Sequence, residues 1–435
     1  MKRLFIVDPS LKDMRGHHYA LTCAATQSAQ QLGFDVCWLC SAAYDGALSL
    51  NNVSIEPAFG ETMYAQYMSP PPGKSGSGWI SRLMQKLFPA KQTPPPKREN
   101  AFLNDLRAAL ARQHANSEDR IFIHTADGVI FRALAPFLLD ENVASAPTVH
   151  VATPYNPTGI MPNKGAPEEI DSAITALKEA GLIGSRLFLY GENETLANHL
   201  STHWRVPVRP LDLPVSPPEA TVIEGARQYR RNELNLGDDD FLLISLGAAR
   251  LEKGFDLFPE IIRLALAMHA EHNAGSGNAA RIKFLLHATP QIIGRVPEIA
   301  AAIEALGAFP KENVDLILEP LSDEEYQKIL YASDAVIMPY RKKDYGIRGS
   351  MIVSEAIVAA KPIIGTADTY PGEAALGASG FAAGAPQEFA EAIISMMGER
   401  KEFENRAQAA AATYTEKNAV GLYWRKCLDA EAAAQ

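Results

Sequence analysis

The stretch that most narrows the fold runs from Ala335 to Thr366. Ala335–Pro339 (AVIMP) is a short continuous apolar run with the look of a buried strand. A charged loop follows, holding Tyr345, Gly346, Arg348, Gly349 and Ser350. Met351–Ala360 then places Met351, Val353, Ala356, Ile357 and Ala360 at the spacing of a helix that packs one face on a sheet. Lys361-Pro362 closes that helix, and Pro362–Gly365 (PIIG) opens another strand. A strand–loop–helix–strand unit of this kind belongs to a doubly wound α/β sheet.

In such a unit, ligands bind at the carboxyl ends of the strands. A Gly-Ser pair at the helix start offers free backbone N–H groups and the positive end of the helix dipole to an anion. Arg348 adds a cation beside it. Glu355 lies four residues past Met351, one turn deeper on the same helix face. A carboxylate there is suited to a ribose diol, whose hydroxyls donate to it. Together these residues describe a site for a nucleotide diphosphate.

The same architecture appears earlier in the chain. Phe241–Leu246 (FLLISL) is a strand and about Leu257–His269 a helix. The loop between them carries Gly247, Arg250, Lys253 and Gly254, two cations able to neutralise a diphosphate and two glycines that permit close backbone approach. Towards the amino terminus, Leu4–Val7, Val36–Cys40, Arg120–His124, Pro147–Thr153 and Arg186–Tyr190 are expected strands. Helices are expected between them over about Tyr19–Leu32, Asn100–His114, Gly128–Leu139 and Ile170–Ala180. The predicted fold class is therefore α/β, with two Rossmann-like doubly wound parallel-sheet domains.

The segment around Arg348, Gly349-Ser350, Glu355-Ala356 and Pro362-Ile363 resembles the donor-site segment of the retaining GT-B-fold glycosyltransferases of family 4. The Gly247–Gly254 loop, with Arg250 and Lys253, is similar to the element those enzymes place on the donor diphosphate. The resemblance implies two domains facing a central cleft and transfer of a hexosyl unit from a nucleotide-diphosphate sugar, of UDP or GDP type. The acceptor it implies is a glycan or lipid-linked molecule, in bacterial-type polysaccharide or glycolipid assembly. Arg250 and Lys253 are expected to be catalytic, stabilising the leaving diphosphate. Gly247, Arg348, Gly349, Ser350, Met351 and Glu355 are expected to bind the substrate. Gly16 matches the family's amino-terminal glycine loop, flanked here by Arg15, His17 and His18, and is likewise expected to bind substrate. A histidine of the first domain contacts the donor sugar in that family, so His124 is expected to be catalytic and His150 to bind substrate. Histidines at strand ends also serve as core residues. Many members carry a further glutamate eight positions before Glu355, where this chain has Ile347. That departure keeps open a catalytically silent nucleotide-sugar-binding or scaffold protein, and a phosphorylase or epimerase on the same fold.

Composition excludes other classes. Across 435 residues, 47% are hydrophobic and 21% charged, as in ordinary globular proteins, and the net charge of −10 argues against a nucleic-acid partner. Four cysteines form no metal pattern, and no metal or other cofactor is expected. No apolar run is long enough to span a bilayer, so a cytoplasmic enzyme is expected. Residues 69–100 hold two PPP triplets and read as a Pro-rich mobile insertion. Within it, Trp79–Phe88 forms a basic amphipathic pattern that fits peripheral contact with an anionic inner-membrane face, or packing on the protein itself. Pro214, Pro217 and Pro218 suit a hinge. The expected domains are 1–215 plus a carboxyl-terminal helix of about 415–435, and 216–414.

Overall fold

Two parallel sheets, each wound on both faces by helices, organise the protein in a computed structural model. The structure describes residues 2–14, 16–46, 52–60, 98–140, 146–157, 167–273, 280–289 and 296–434. The Pro-rich segment and its amphipathic stretch 79–88 lie outside the described residues, as does Arg15.

The first sheet contains β1 (Arg3–Asp8), β2 (Asp35–Ser41), β3 (Val53–Phe59), β4 (Arg120–Ile123), β5 (Thr148–Thr153), β6 (Leu187–Gly191) and β7 (Val208–Pro210). Their spatial order is β3-β2-β1-β4-β5-β6-β7, with every pair parallel. The second contains β8 (Phe241–Ser245), β9 (Ile282–His287), β10 (Val314–Ile317), β11 (Ala335–Met338), β12 (Ile363–Thr366) and β13 (Phe381–Ala383). It runs β10-β9-β8-β11-β12-β13, again parallel throughout. The central strands are continuous apolar runs because both of their faces are covered, by one apolar cluster on each side.

Strand order reverses between β1 and β4 in the first sheet and between β8 and β11 in the second. The loops diverging from those pairs leave a crevice at the carboxyl ends, where ligands of such sheets bind. Those loops span 9–14, 124–127, 246–254 and 339–350. The candidate residues therefore fall where topology makes room for them.

β3, β7 and β13 were not among the strands anticipated from residue pattern. All are at or next to a sheet edge, where one or both faces meet solvent and no continuous apolar run is needed. In β3, five of seven residues are at least partly exposed, and it contains Pro57.

The chain passes from the first sheet to the second through residues 211–219 and returns through the helix Arg400–Asn418. The two passages touch, with the Val215 N–H donating to the Asn418 carbonyl at 2.9 Å. The last helix, Val420–Ala432, then packs on the helix Gly16–Gln31, burying Tyr423, Trp424 and Cys427 against β1, β4 and β6. Glu431 near its end is bound by Arg120 (2.7 and 2.8 Å) and by His150 (2.8 Å), which pins the carboxyl terminus to the first sheet. In the second sheet Asp334 accepts from Arg227 (2.8 Å), Arg231 (2.9 Å), Arg400 (2.6 Å) and the Leu242 N–H (2.8 Å), tying two helices and β8 to the start of β11.

Candidate functional site

On the second sheet, the Gly247 loop and the Tyr340–Ser350 loop close on each other. Gly254 sits at φ +64°, and a Cβ there would lie 1.8 Å from the Pro339 carbonyl oxygen, so only glycine lets the two loops meet. The Arg341 guanidinium reinforces the contact, bonding Asp256 (2.5 Å) and the Leu251 carbonyl (2.9 Å). Gly247, at φ +103°, leaves the space over its Cα to the Lys253 ammonium, which would be 2.6 Å from a Cβ. Lys253 is half-buried, 5.5 Å from the centroid of the Tyr340 ring. Burial, with Arg250 and Arg348 beside it, lowers its ammonium to about 7.

Arg250 is held by Glu252 (3.1 Å) and reaches the Tyr345 hydroxyl (3.4 Å), while its buried Nε has no partner among the described residues. Arg348 lies over the Tyr345 ring, 5.0 Å from the centroid. Tyr345 and Tyr340 pack with ring centroids 4.4 Å apart. The two tyrosines thus form an aromatic floor that aims three cations at one place. The helix Met351–Val358 starts there, and its N-cap Ser350 makes no side-chain cap bond, because its hydroxyl is engaged by Tyr340. The first N–H groups of the helix and its dipole are left for an anion. One turn in, the Tyr326 hydroxyl donates to Glu355 Oε2 at 2.5 Å. Burial raises the Glu355 carboxyl above the usual range, although Tyr326 and Lys253 both work to lower it.

Arg250, Lys253, Gly247, Arg348, Gly349, Ser350, Met351 and Glu355 are therefore brought together. The helix differs in detail from expectation: it ends at Val358, and Ala359 rather than Ala360 is buried, because Ala360 turns to φ +53°. Tyr326 and Tyr340 were missed as site residues; their signal was only a tyrosine in a helix and one at a strand end.

The first sheet behaves differently. Gly16, at φ +72°, opens its helix with nothing near a Cβ. His17 packs on His18, ring centroids 4.2 Å apart. His18 Nδ1 bonds Asp8 Oδ2 at 2.7 Å. Burial works to raise the Asp8 carboxyl, but His18 and His124 bring it down to about 2.

His124 and His150 correct the expectation that they face the cleft: the side chains of both are 0% exposed. His124 lies beneath the Asp8–His18 pair, bonded to the hydroxyls of Thr22 (2.9 Å) and Thr125 (2.8 Å). Burial lowers it to about 4 and keeps it neutral. His150 is sandwiched between sheet and last helix, accepting from the Tyr190 hydroxyl (2.9 Å) and donating to Glu431. A histidine in a strand signals neither its depth nor what covers it, and the last helix supplied the cover.

One part of the cleft had no expectation attached. Glu192 and Asn193 follow β6 and open the helix Glu194–Trp204, with Asn193 as its N-cap. Asn193 also donates to the Ile347 carbonyl (3.3 Å), and Thr195 bonds Glu373 (2.9 Å). These contacts join the end of β6 to the loop and to the helix Tyr370–Ala378 of the second sheet. Ile347 packs its side chain against the core of the first sheet. The Glu192 carboxyl abuts Gly349, so closely that a Cβ there would be 2.4 Å from Oε1. The available signal was position: both residues end an apolar strand, RLFLYG, of the same strand–loop–helix pattern.

No protein-family model matches the chain, and no curated protein matches it in sequence. Solved structures do resemble it over its whole length. An α,α-trehalose 6-phosphate synthase from Burkholderia multivorans matches with a TM-score of 0.67 at 13% identity, over 100% of this chain and 99% of that one. A sucrose-phosphate synthase from Thermosynechococcus elongatus matches at 0.61 and 12% identity, over 100% of both chains. HepE from Anabaena, solved with UDP and glucose, matches at 0.60 and 14% identity, over 99% of each. These are GT-B glycosyltransferases, and this chain has the GT-B fold: two Rossmann-like parallel sheets of seven and six strands.

Proposed function

We propose that the protein is a hexosyltransferase that takes its sugar from a nucleoside diphosphate of UDP or GDP type. The observation that carries this reading is the convergence of Arg250, Lys253 and Arg348 on the free start of the Met351–Val358 helix, with Glu355 one turn deeper. The diphosphate lies across Gly349–Met351, and the ribose diol meets Glu355. As the glycosidic bond breaks, charge builds on the leaving diphosphate, and the three cations stabilise it where it develops. With that charge supplied by side chains, the reaction is proposed to need no metal ion or other cofactor. The similarity to HepE, solved with UDP and glucose, supports the donor class. The acceptor is a glycan or lipid-linked molecule approaching from the first sheet, and the pathway is polysaccharide or glycolipid assembly at the cytoplasmic face of a membrane. Among the described residues no helix is long and apolar enough to cross a membrane. The domains are assigned as 1–215 with 415–435, and 216–414.

Retention is the preferred outcome, with the leaving phosphate taking the acceptor proton. The Asp8–His18 bond favours a second reading, in which His18, oriented by Asp8, takes that proton and the product is inverted. The anomeric configuration of the product separates the two. The primary test is a thermal-shift screen of UDP, GDP, ADP and their sugars without added metal, on wild type and Glu355→Ala. A ligand at ~100 times its Kd stabilises the fold by about 2.7 kcal/mol. One nucleotide should raise the melting temperature and do so less in the variant; no shift with any of them overturns the donor site. Sugar transfer with acceptor present separates an enzyme from a silent binder.

A further inference from the structure

We propose that Glu192, contributed by the first sheet, is the side chain that binds the hydroxyls of the donor sugar and distinguishes a nucleoside diphosphate sugar from the bare nucleoside diphosphate. This rests on the donor site proposed above and assigns a group at its far end that the nucleotide itself does not use.

The direction of the ligand follows from the helix. Glu355 lies one turn inside the Met351–Val358 helix, about 6 Å along its axis from the first N–H groups. A nucleoside running from the helix start towards Glu355 and Tyr326 leaves the other ester of the diphosphate pointing the opposite way. That ester emerges over Arg348 and Gly349, and the side chain packed against Gly349 is Glu192. The glycine leaves room for the carboxyl, since any side chain there would collide with it.

The surroundings of Glu192 fit a ligand rather than an internal partner. The group is half-buried, and among the described residues its carboxyl makes no hydrogen bond or ion pair. A carboxyl with no protein partner has its hydrogen-bonding capacity left for water or for a ligand. Its charged neighbours are Arg348 and Asp212, of opposite sign. Burial, which Asp212 reinforces and Arg348 opposes, raises it to about 8, so at neutral pH it carries a proton. A carboxylic acid donates one hydrogen bond and accepts others, as a sugar hydroxyl does, and it does not repel the neighbouring diphosphate. Asn193 and Thr195, bonded to Ile347 and Glu373, hold the segment against the loop.

The test compares affinity for a nucleotide with affinity for its sugar, by calorimetry at pH 7 with UDP against UDP-glucose and GDP against GDP-mannose. Three proteins are used: wild type, Glu192→Ala and Glu192→Gln. Glu192→Ala should leave nucleotide affinity within about twofold and weaken the nucleotide sugar roughly tenfold, the worth of one or two buried hydrogen bonds. Glu192→Gln, which keeps a donor and an acceptor of the same shape, should recover most of that loss and guards against a folding artefact in the alanine variant. An unchanged ratio of the two affinities in Glu192→Ala overturns the proposal. So does an equal loss for both ligands, which would mean that Glu192 only shapes the Gly349 loop. If wild type binds neither nucleotide, the donor site itself is wrong and Glu192 falls with it; nucleotide binding with an unchanged ratio removes Glu192 alone.

Discussion

Lys253 links the proposed chemistry to a proton that can be counted. In the empty protein, burial and the flanking Arg250 and Arg348 lower its ammonium to about 7. A diphosphate set against it adds two negative charges and moves the pKa back towards that of a free lysine. The empty state therefore binds fewer protons than the loaded one above pH 7, so binding takes up a proton and affinity falls as pH rises. With a bound-state pKa well above 8.5, the apparent Kd for a nucleoside diphosphate sugar should rise roughly 25-fold between pH 6.5 and 8.5. At pH 8 about nine-tenths of a proton should enter per ligand bound. The sugar ester is the right probe because its diphosphate does not titrate in this range. Calorimetry at pH 8 in two buffers of different ionisation enthalpy reads the proton count directly. Lys253 also faces Glu252 and Glu355, so the control is Lys253→Arg, whose charge is fixed. That variant should bind with a flat pH profile and take up no proton. An uptake below about two-tenths of a proton in wild type, or a wild-type slope in Lys253→Arg, refutes the reasoning.

Three further outcomes are expected. Glu431→Gln should cost about 3 kcal/mol in urea unfolding at pH 7, because Arg120 and His150 hold Glu431 down to about 2 against the opposing effect of burial. A depressed carboxyl stabilises above its unfolded pKa and loses that contribution as pH falls through its folded one, so the gap should close from about pH 4.5 towards pH 2. Gly254→Ala combines φ +64° with a clash on Pro339 and should lose about 2–4 kcal/mol, whereas Gly16→Ala, at φ +72° in open space, should lose only about 1; equal losses in denaturant titrations would contradict this. Tyr326→Phe removes the donor on Glu355 and should weaken nucleotide binding roughly three- to tenfold with the fold intact, as read by calorimetry and circular dichroism.

The buried strands, the helices between them and the loops of the donor side were legible in the order of residues. AVIM and FLLI are apolar throughout because both faces of a central parallel strand are covered, a condition that leaves its mark on consecutive residues. Arg250, Lys253, Arg348, Gly349 and Glu355 were legible for a related reason. Each lies within 17 residues of the carboxyl end of a central strand, so local chain geometry alone brings it to the crevice.

The remainder emerged only on packing, because it depends on what elements distant in the chain cover. His150 became a core residue when a helix some 280 positions later laid Glu431 across it. His124 sank beneath Asp8 and His18, whose strand and helix lie about a hundred residues earlier. Ile347 turned to the core of the first sheet, and Glu192 came to rest on Gly349, through contacts between the two halves that no local pattern encodes. Periodicity records which face of an element is apolar; it carries no address for the surface that will meet it.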